Sequence, residues 1–314
     1  MFYTSPIKIH EIDEFVESNR RDVPYYYEEK DVAVKYVPVE GGEIRIFHHN
    51  PQNKEFKHPI IFVPGFGTPP LVWGDFSLPL HGKGEFVVVE SREKRSSKIQ
   101  KHRKANFTVN QMSKDLRDVI NHLELQNTQY ILVGGCWGGG IVLEGIIREY
   151  FKPHAVVLQD PYPKFVHKKI FAGVLFSLTP SFVLDIIKNM IGFIFLMGMK
   201  NKAQKIRDIQ IVKEAVGWKW KKAVLQNLQY NLYPDFSKIY REIFLFHGPK
   251  DRYHSRELYF DMISKIPKGR FFFMNCSDKN RELLLGSVVK EFAANNNNDP
   301  LPSIFEKYEL IIPR

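Results

Sequence analysis

The chain is poor in cysteine, with only Cys136 and Cys276 in 314 residues. Two thiols cannot staple a domain of this length, which excludes a disulfide framework and points to a reducing interior. The apolar stretches Ile170–Leu184 and Asn189–Met199 carry no charge, but each is shorter than the roughly 18–20 residues that cross a bilayer. The opening residues Met1–Pro6 lack the apolar core of a signal peptide, so a cytoplasmic protein is expected. Neither G-x-G-x-x-G nor the G-K-[ST] ending of a phosphate-binding loop occurs. There is no internal repeat and no recognisable nucleic-acid module, so nucleic acid is not an expected partner. Acidic residues are outnumbered, giving a formal net charge of +10; that balance suits anionic partners and says nothing about fold. Histidine is absent after His254, an absence that matters below.

What is present is an alternation of elements. Val32–Val37 and Glu43–Phe47 flank Gly41-Gly42 as a β-hairpin, with Pro38 marking a strand end or an edge position. Short apolar strands are expected at 59–64, 85–90, 130–135, 155–158, 243–246 and 270–274. Thr108, with Gln111 three residues on, reads as a capping box for a helix carrying Met112, Leu116, Val119, Ile120 and Leu123. A last helix carries Leu283, Leu284, Val288, Val289 and Phe292. Such alternation after an antiparallel start predicts an α/β fold, a mostly parallel sheet with helices on both faces. Residues 163–238 interrupt it with helical patterns only and read as an insertion above the sheet. The length and the 44% hydrophobic content suit one such domain with an insertion, or two small domains.

The segment from Tyr130 to Gly140, YILVGGCWGGG, reads as a buried strand, a sharp glycine turn and a helix. Gly134-x-Cys136-x-Gly138 has the spacing of a G-x-S-x-G nucleophile elbow, with cysteine in place of serine. The nucleophile there occupies strained backbone, and bulk two residues either side would strike the strand or the helix. The plainer reading is a glycine turn that packs or holds a phosphate.

Together with three further features, this elbow makes the chain resemble the α/β-hydrolase superfamily across roughly residues 30–295. Val63-Pro64-Gly65-Phe66-Gly67 follows an early strand where the family carries its second oxyanion-hole donor. Phe246-His247-Gly248-Pro249-Lys250-Asp251 follows a late strand where the family places its acid. The insertion falls between the sixth and seventh strands, where the family carries its cap. The resemblance implies an N-terminal extension over 1–30, a core over 31–162 and 239–295, a helical cap over 163–238 and a tail over 296–314. G-x-C-x-G-G is similar to the elbow of dienelactone hydrolases and polyhydroxyalkanoate synthases, without wider similarity that would carry over their substrates.

The family's order is nucleophile, acid, histidine. The segment where its histidine belongs reads Asn275-Cys276-Ser277-Asp278-Lys279-Asn280. Lys279 stands in the histidine's place, with Asn280 next. Lys279 serves as base only if burial lowers its pKa. Other sources are His254, His81, His102 and His167. A cysteine depends on a base less than a serine does, because its unperturbed pKa of about 8.5 leaves a few per cent thiolate at neutral pH. The elbow also sets the sulfur at a helix N-terminus.

The resemblance implies the backbone N–H groups of Phe66 and Trp137 as oxyanion donors. Asp251 either orients a base or merely closes its loop by bonding backbone N–H groups. Cys276 reads as a small buried hydrophobe, or as a redox partner of Cys136. The stretch Arg92, Lys94, Arg95, Lys98, Lys101, Arg103 and Lys104, against Glu93 alone, reads as a solvated loop or as a site for a phosphate-bearing substrate such as acyl-CoA. The apolar insertion reads as cap helices packed on the sheet, as the lining for an acyl chain, or as a contact with a membrane surface.

The expected function is therefore attack by Cys136 on an acyl ester or thioester with an apolar acyl group, as hydrolase or acyltransferase. Cys136, Asp251 and Lys279 are the candidate catalytic residues, Phe66 and Trp137 the oxyanion hole, and no cofactor or metal is implied. The competing expectation is a non-catalytic member that binds a ligand or partner, because the catalytic histidine is missing.

Overall fold

Strands buried on both faces need unbroken apolar runs, and the middle of this sheet has them. A computed structural model describes residues 9–165, 169–197, 202–248, 256–295, 297 and 299–312. Its eight strands are β1 (Val32–Val39), β2 (Gly42–His49), β3 (Ile60–Val63), β4 (Phe86–Val89), β5 (Ile131–Gly135), β6 (Ala155–Gln159), β7 (Ile243–His247) and β8 (Gly269–Phe273). They form one sheet in the order β1-β2-β4-β3-β5-β6-β7-β8. The β1–β2 and β2–β4 pairs are antiparallel, and all later pairs are parallel. Pro38 does not end β1; it lies inside it, opposite Glu43. The ring is tolerated because β1 is the edge strand, where a missing N–H need leave no ladder bond unmade.

Side chains alternate across the sheet with the strand period of two. Ile61, Leu132, Val156, Leu158 and Leu245 face one apolar cluster, closed by α3 (Val109–His122), α4 (Trp137–Ile147) and α9 (Arg256–Ser264). Phe62, Val133, Val157, Phe244 and Phe246 face the other, closed by α1 (Ile9–Glu17), α2 (Gly74–Ser77) and α10 (Arg281–Ala294). Thr108 caps α3 by accepting from the Gln111 N–H at 3.2 Å. The reciprocal half of the capping box is not made, because the Gln111 amide donates to Asp115 instead.

The first and last described segments pack against this core. Ile12 and Val16 of α1 are buried, and Asp13 accepts from the Ser277 and Asn280 side chains. Phe305 is buried as well, and the Leu310 N–H donates to the Phe271 carbonyl.

Between β6 and β7 the chain leaves the sheet as a helical cap, as the broken alternation predicts. It contains α5 (Lys169–Leu178), α6 (Ser181–Met197), α7 (Lys202–Glu214) and α8 (Gly217–Gln226). The Lys164–Asn231 bridge closes its root. No helix among the described residues is long and apolar enough to cross a membrane.

Candidate active site

β5 runs straight into α4 with a single residue, Cys136, between them. Its backbone sits at φ 49°, ψ −116°, a conformation that costs a non-glycine residue about 1–2 kcal/mol. Three hydrogen bonds hold it there. The Cys136 N–H donates to the Gln159 carbonyl at 3.0 Å, while its carbonyl accepts from Gly139 at 3.0 Å and Tyr162 at 2.9 Å. The flanking glycines are steric requirements. A Cβ on Gly134 would lie 2.6 Å from the Gly139 Cα, and one on Gly138 would lie 1.9 Å from the Val63 carbonyl oxygen.

The loop after β3 forms the other wall. A Cβ on Gly65 would stand 3.4 Å from Cys136 Cβ and 3.9 Å from Sγ, so the cysteine side chain lies against this loop. The backbone N–H groups of Phe66 and Trp137 donate to no other described residue, as oxyanion donors require. The neighbouring Gly67 N–H is already committed to Glu93 at 3.1 Å. Aromatic rings enclose the site. Phe66 packs edge-on against Trp137 and Trp220, and Trp137 contacts Tyr162 and Tyr230. The Tyr230 hydroxyl is buried with no hydrogen-bond partner among the described residues.

Beneath the loop lies a group that the sequence reading treated as part of a solvated segment. Lys94 is buried. Its ammonium donates to the Gly65 carbonyl at 2.6 Å, the Thr68 carbonyl at 3.0 Å and the Thr68 hydroxyl at 3.2 Å. Burial lowers its pKa, against the opposing negative charges of Glu93, Glu90 and an ionised Cys136. Glu93 is buried beside it at 3.9 Å, with one carboxylate oxygen unpartnered among the described residues. Arg92 is buried too, bidentate to Asp115 at 2.6 and 2.5 Å. The basic stretch is therefore divided. Arg92 and Lys94 are structural, whereas Arg95, Lys101, Arg103 and Lys104 are exposed.

Lys279 does not meet the condition set for a base. Its side chain is 70% exposed rather than buried, and it pairs with Glu17 of α1 at 3.1 Å. Asn280 is buried but donates to Asp13. Both are drawn toward α1 by its acidic residues. Cys276 belongs to the apolar cluster of the opposite sheet face from the one Cys136 packs against, where burial pushes its thiol pKa up. Both cysteines are free, and this separation removes the redox-pair reading. His81 pairs with Glu29 at 2.8 Å, and His102 lies on the exposed loop, accepting from the Lys104 N–H. Asp251, His167 and His254 lie outside the described residues.

A histidine overlooked in the sequence stands at the same sheet edge. Gly135, Gln159 and Phe246 are in register across β5, β6 and β7. The next residues, Cys136, Asp160 and His247, therefore form a row. Strand spacing puts Cys136 and His247 about 10 Å apart at their Cα atoms. His247 Nδ1 lies 2.5 Å from Asp160 Oδ1, and Arg281 donates to Asp160 Oδ2 at 3.0 Å. All three are buried. Asp160 has positive φ, 47°, so two of the chain's strained residues sit side by side at the carboxyl edge. The signal was available: both Asp160 and His247 fall at the carboxyl ends of apolar strands, where open α/β sheets gather functional groups. Among the described residues no cluster of His, Cys, Asp and Glu could hold a metal ion.

No curated protein matches the sequence. Among solved structures, similar folds include an esterase from Thermogutta terrifontis, 16% identical over 82% of this chain and 95% of its own, with a TM-score of 0.62. An esterase from Exiguobacterium antarcticum is 18% identical over 77% of this chain and 91% of its own, with a TM-score of 0.62. The enol-lactonase from Burkholderia xenovorans LB400 is 14% identical over 79% of this chain and 93% of its own, with a TM-score of 0.59. At such identities the likeness is one of fold. The sequence model of the alpha/beta hydrolase family matches residues 60–278, a span that runs from β3 through the elbow and the cap to the turn before α10. By that match, and by an eight-stranded sheet whose elbow and cap stand in the family's order, the chain belongs to the alpha/beta hydrolase family.

Proposed function

We propose that the protein acts on an acyl ester or thioester through Cys136, as a hydrolase or acyltransferase. The observation that carries this reading is the pairing of Cys136, held at positive φ on the elbow, with two uncommitted backbone N–H groups on Phe66 and Trp137. The Cys136 thiolate attacks the acyl carbonyl, and the two N–H groups hold the resulting oxyanion. Collapse expels the alkoxide or thiolate, which takes its proton from solvent, and leaves the acyl group as a thioester on Cys136. Water or a second acceptor then removes it. Lys94 acts as a positioning residue. It fixes the Gly65 and Thr68 carbonyls, and with them the loop that carries the Phe66 N–H. Asp251 keeps its proposed part as the acid member. The rings of Phe66, Trp137 and Tyr162 suit an apolar acyl group, and the exposed Lys101, Arg103 and Lys104 suit a CoA carrier.

The second reading is a non-catalytic protein that binds a ligand or partner. It draws support from Lys279, which faces solvent and Glu17 where a base would stand. Intact-mass spectrometry of the wild type and Cys136→Ala, after exposure to acyl-CoA thioesters and activated esters, separates the two. The enzyme reading requires a Cys136-dependent acyl adduct, with product release where an acceptor is present. Neither adduct nor turnover across the panel would leave binding as the better account.

A further inference from the structure

The cap is built inside out at one face. On α5, Ile170, Val174 and Leu178 recur every four residues, and on α6 so do Phe182, Ile186 and Met190. Each set forms a single helical stripe. All six side chains face solvent, 54% to 85% exposed. The charged residues of α6 are tied back to the rest of the cap. Asp185 accepts from the Gly217 N–H at 2.7 Å, and the Lys188 ammonium donates to the Lys213 and Ala215 carbonyls at 3.0 and 2.7 Å. The polar groups thus bind α7 and α8, and the apolar ones are left outside. Exposed apolar surface running the length of a helix, here on each of two helices that share α8 as their support, marks a surface that engages a partner.

We propose that the outer face of the α5–α6 pair docks on the surface of a bilayer containing anionic lipid. Three observations select this occupant. The stripes are amphipathic and carried on helices that are not of bilayer-spanning length, the pattern of helices that lie in the interfacial plane. A cation borders the α5 stripe directly: Lys169 is exposed beside Ile170. The exposed run Lys101-His102-Arg103-Lys104 is tied to α8 by a hydrogen bond from the Lys222 ammonium to the Arg103 carbonyl, and α8 packs against both α5 and α6. Exposed apolar stripes, a cation at the start of α5 and a basic run held on the same cap, on a chain of net charge +10, match an acidic lipid surface. This inference is independent of the chemistry at Cys136.

The test is flotation of the full chain with phosphatidylcholine vesicles, alone or with about a third phosphatidylserine. Sedimentation velocity of the free protein is run alongside. The wild type and Cys136→Ala should both float with the phosphatidylserine vesicles, less so at high salt. The variant Ile170→Ser/Leu178→Ser/Phe182→Ser/Ile186→Ser should lose about tenfold or more of that partitioning with an unchanged circular-dichroism melt, since the replaced side chains are exposed. Arg103→Ser/Lys104→Ser should reduce the preference for phosphatidylserine. No flotation with either vesicle, or flotation that the fourfold variant leaves unchanged, would overturn the proposal. So would a concentration-dependent dimer, without flotation, that the fourfold variant abolishes; the face would then join two copies of the chain.

Discussion

Gly138→Ala puts the elbow geometry to a test in which local and tertiary physics predict opposite signs. Gly138 lies in the first turn of α4, and helix propensity alone makes alanine better there by about 1 kcal/mol. Packing says otherwise. The new methyl would stand 1.9 Å from the Val63 carbonyl oxygen, 2.6 Å from the Val63 carbonyl carbon and 2.7 Å from the Pro64 oxygen. All three are backbone atoms with no rotamer to yield, so the end of β3 must move about 1 Å to restore contact distance. Overpacking of this kind costs about 3 kcal/mol, which outweighs the propensity gain. Urea unfolding of the wild type and the variant should show an apparent midpoint lower by on the order of 1 M. The displaced segment leads directly to Phe66, so Cys136 acylation should fall with it. Gly82→Ala is the control. Gly82 has φ +68° and open space where a Cβ would point, so it should lose only the backbone cost of about 1 kcal/mol. Gly138→Ala at or above wild-type stability would refute the argument that glycine is there to admit the strand.

Three more expectations follow from buried and paired charges. Lys94→Met leaves the Gly65 and Thr68 carbonyls and the Glu93 carboxylate without their cation; it should cost about 3 kcal/mol in urea unfolding, and a loss below about 1 kcal/mol would contradict a structural role for the buried ammonium. Burial lowers the Lys219 pKa to about 8, below its unfolded value, so its charge destabilises the fold fully below pH 8. That cost is relieved as pH rises from about 8 toward the ordinary lysine value, and thermal scans should show wild-type stability gaining over Lys219→Met across that window. Glu85 is held down to about 2, first by its hydrogen bond from His48 and also by Lys54; its contribution is present above the ordinary glutamate value and lost as pH falls toward 2. Glu85→Gln should therefore cost about 1 kcal/mol at pH 7, discounted because the group is half-buried and screened, and only a small fraction of that at pH 2; an equal cost at both would contradict the ion-pair origin.

Much of this architecture is readable in the sequence because it rests on local constraints. β5, β6 and β7 are buried throughout, so their residues form apolar runs that need no partner to be recognised. The glycines around Cys136 are dictated by contacts within one strand–turn–helix and with β3. The cap shows as a break in the alternation of strand and helix. What escaped depends on partners far along the chain. Nothing in the composition of residues 92–104 says that Arg92 will meet Asp115 or that Lys94 will reach under Gly65, so buried and solvated cations look alike there. Asp160 and His247 are 87 residues apart and meet only through the β6–β7 register. Lys279 fell in the histidine's position by counting along the chain, but Glu17 of α1 draws it outward. In the cap, apolar residues suggest burial by type, and only the folded packing of α5 and α6 on α8 shows that six of them face out.

The cap and the loop bearing Phe66 are mechanically one piece. Lys219 and Trp220 are consecutive in α8. The first donates to the Lys94 and Ser97 carbonyls at 2.7 and 2.6 Å, gripping the segment after β4. The second lies over Gly67, where a Cβ would come within 2.4 Å of its ring. Gly67 has φ +60°, and its N–H is held by Glu93. Cap helix, buried Glu93–Lys94 pair and the loop bearing Phe66 therefore share atoms at every junction, and a shift of α8 cannot leave the Phe66 N–H where it is. Such an arrangement links the outer surface of the cap to the geometry at Cys136 through rigid contacts. Whatever engages the exposed faces of α5 and α6, both of which pack on α8, bears on the same helix that sets the loop bearing Phe66.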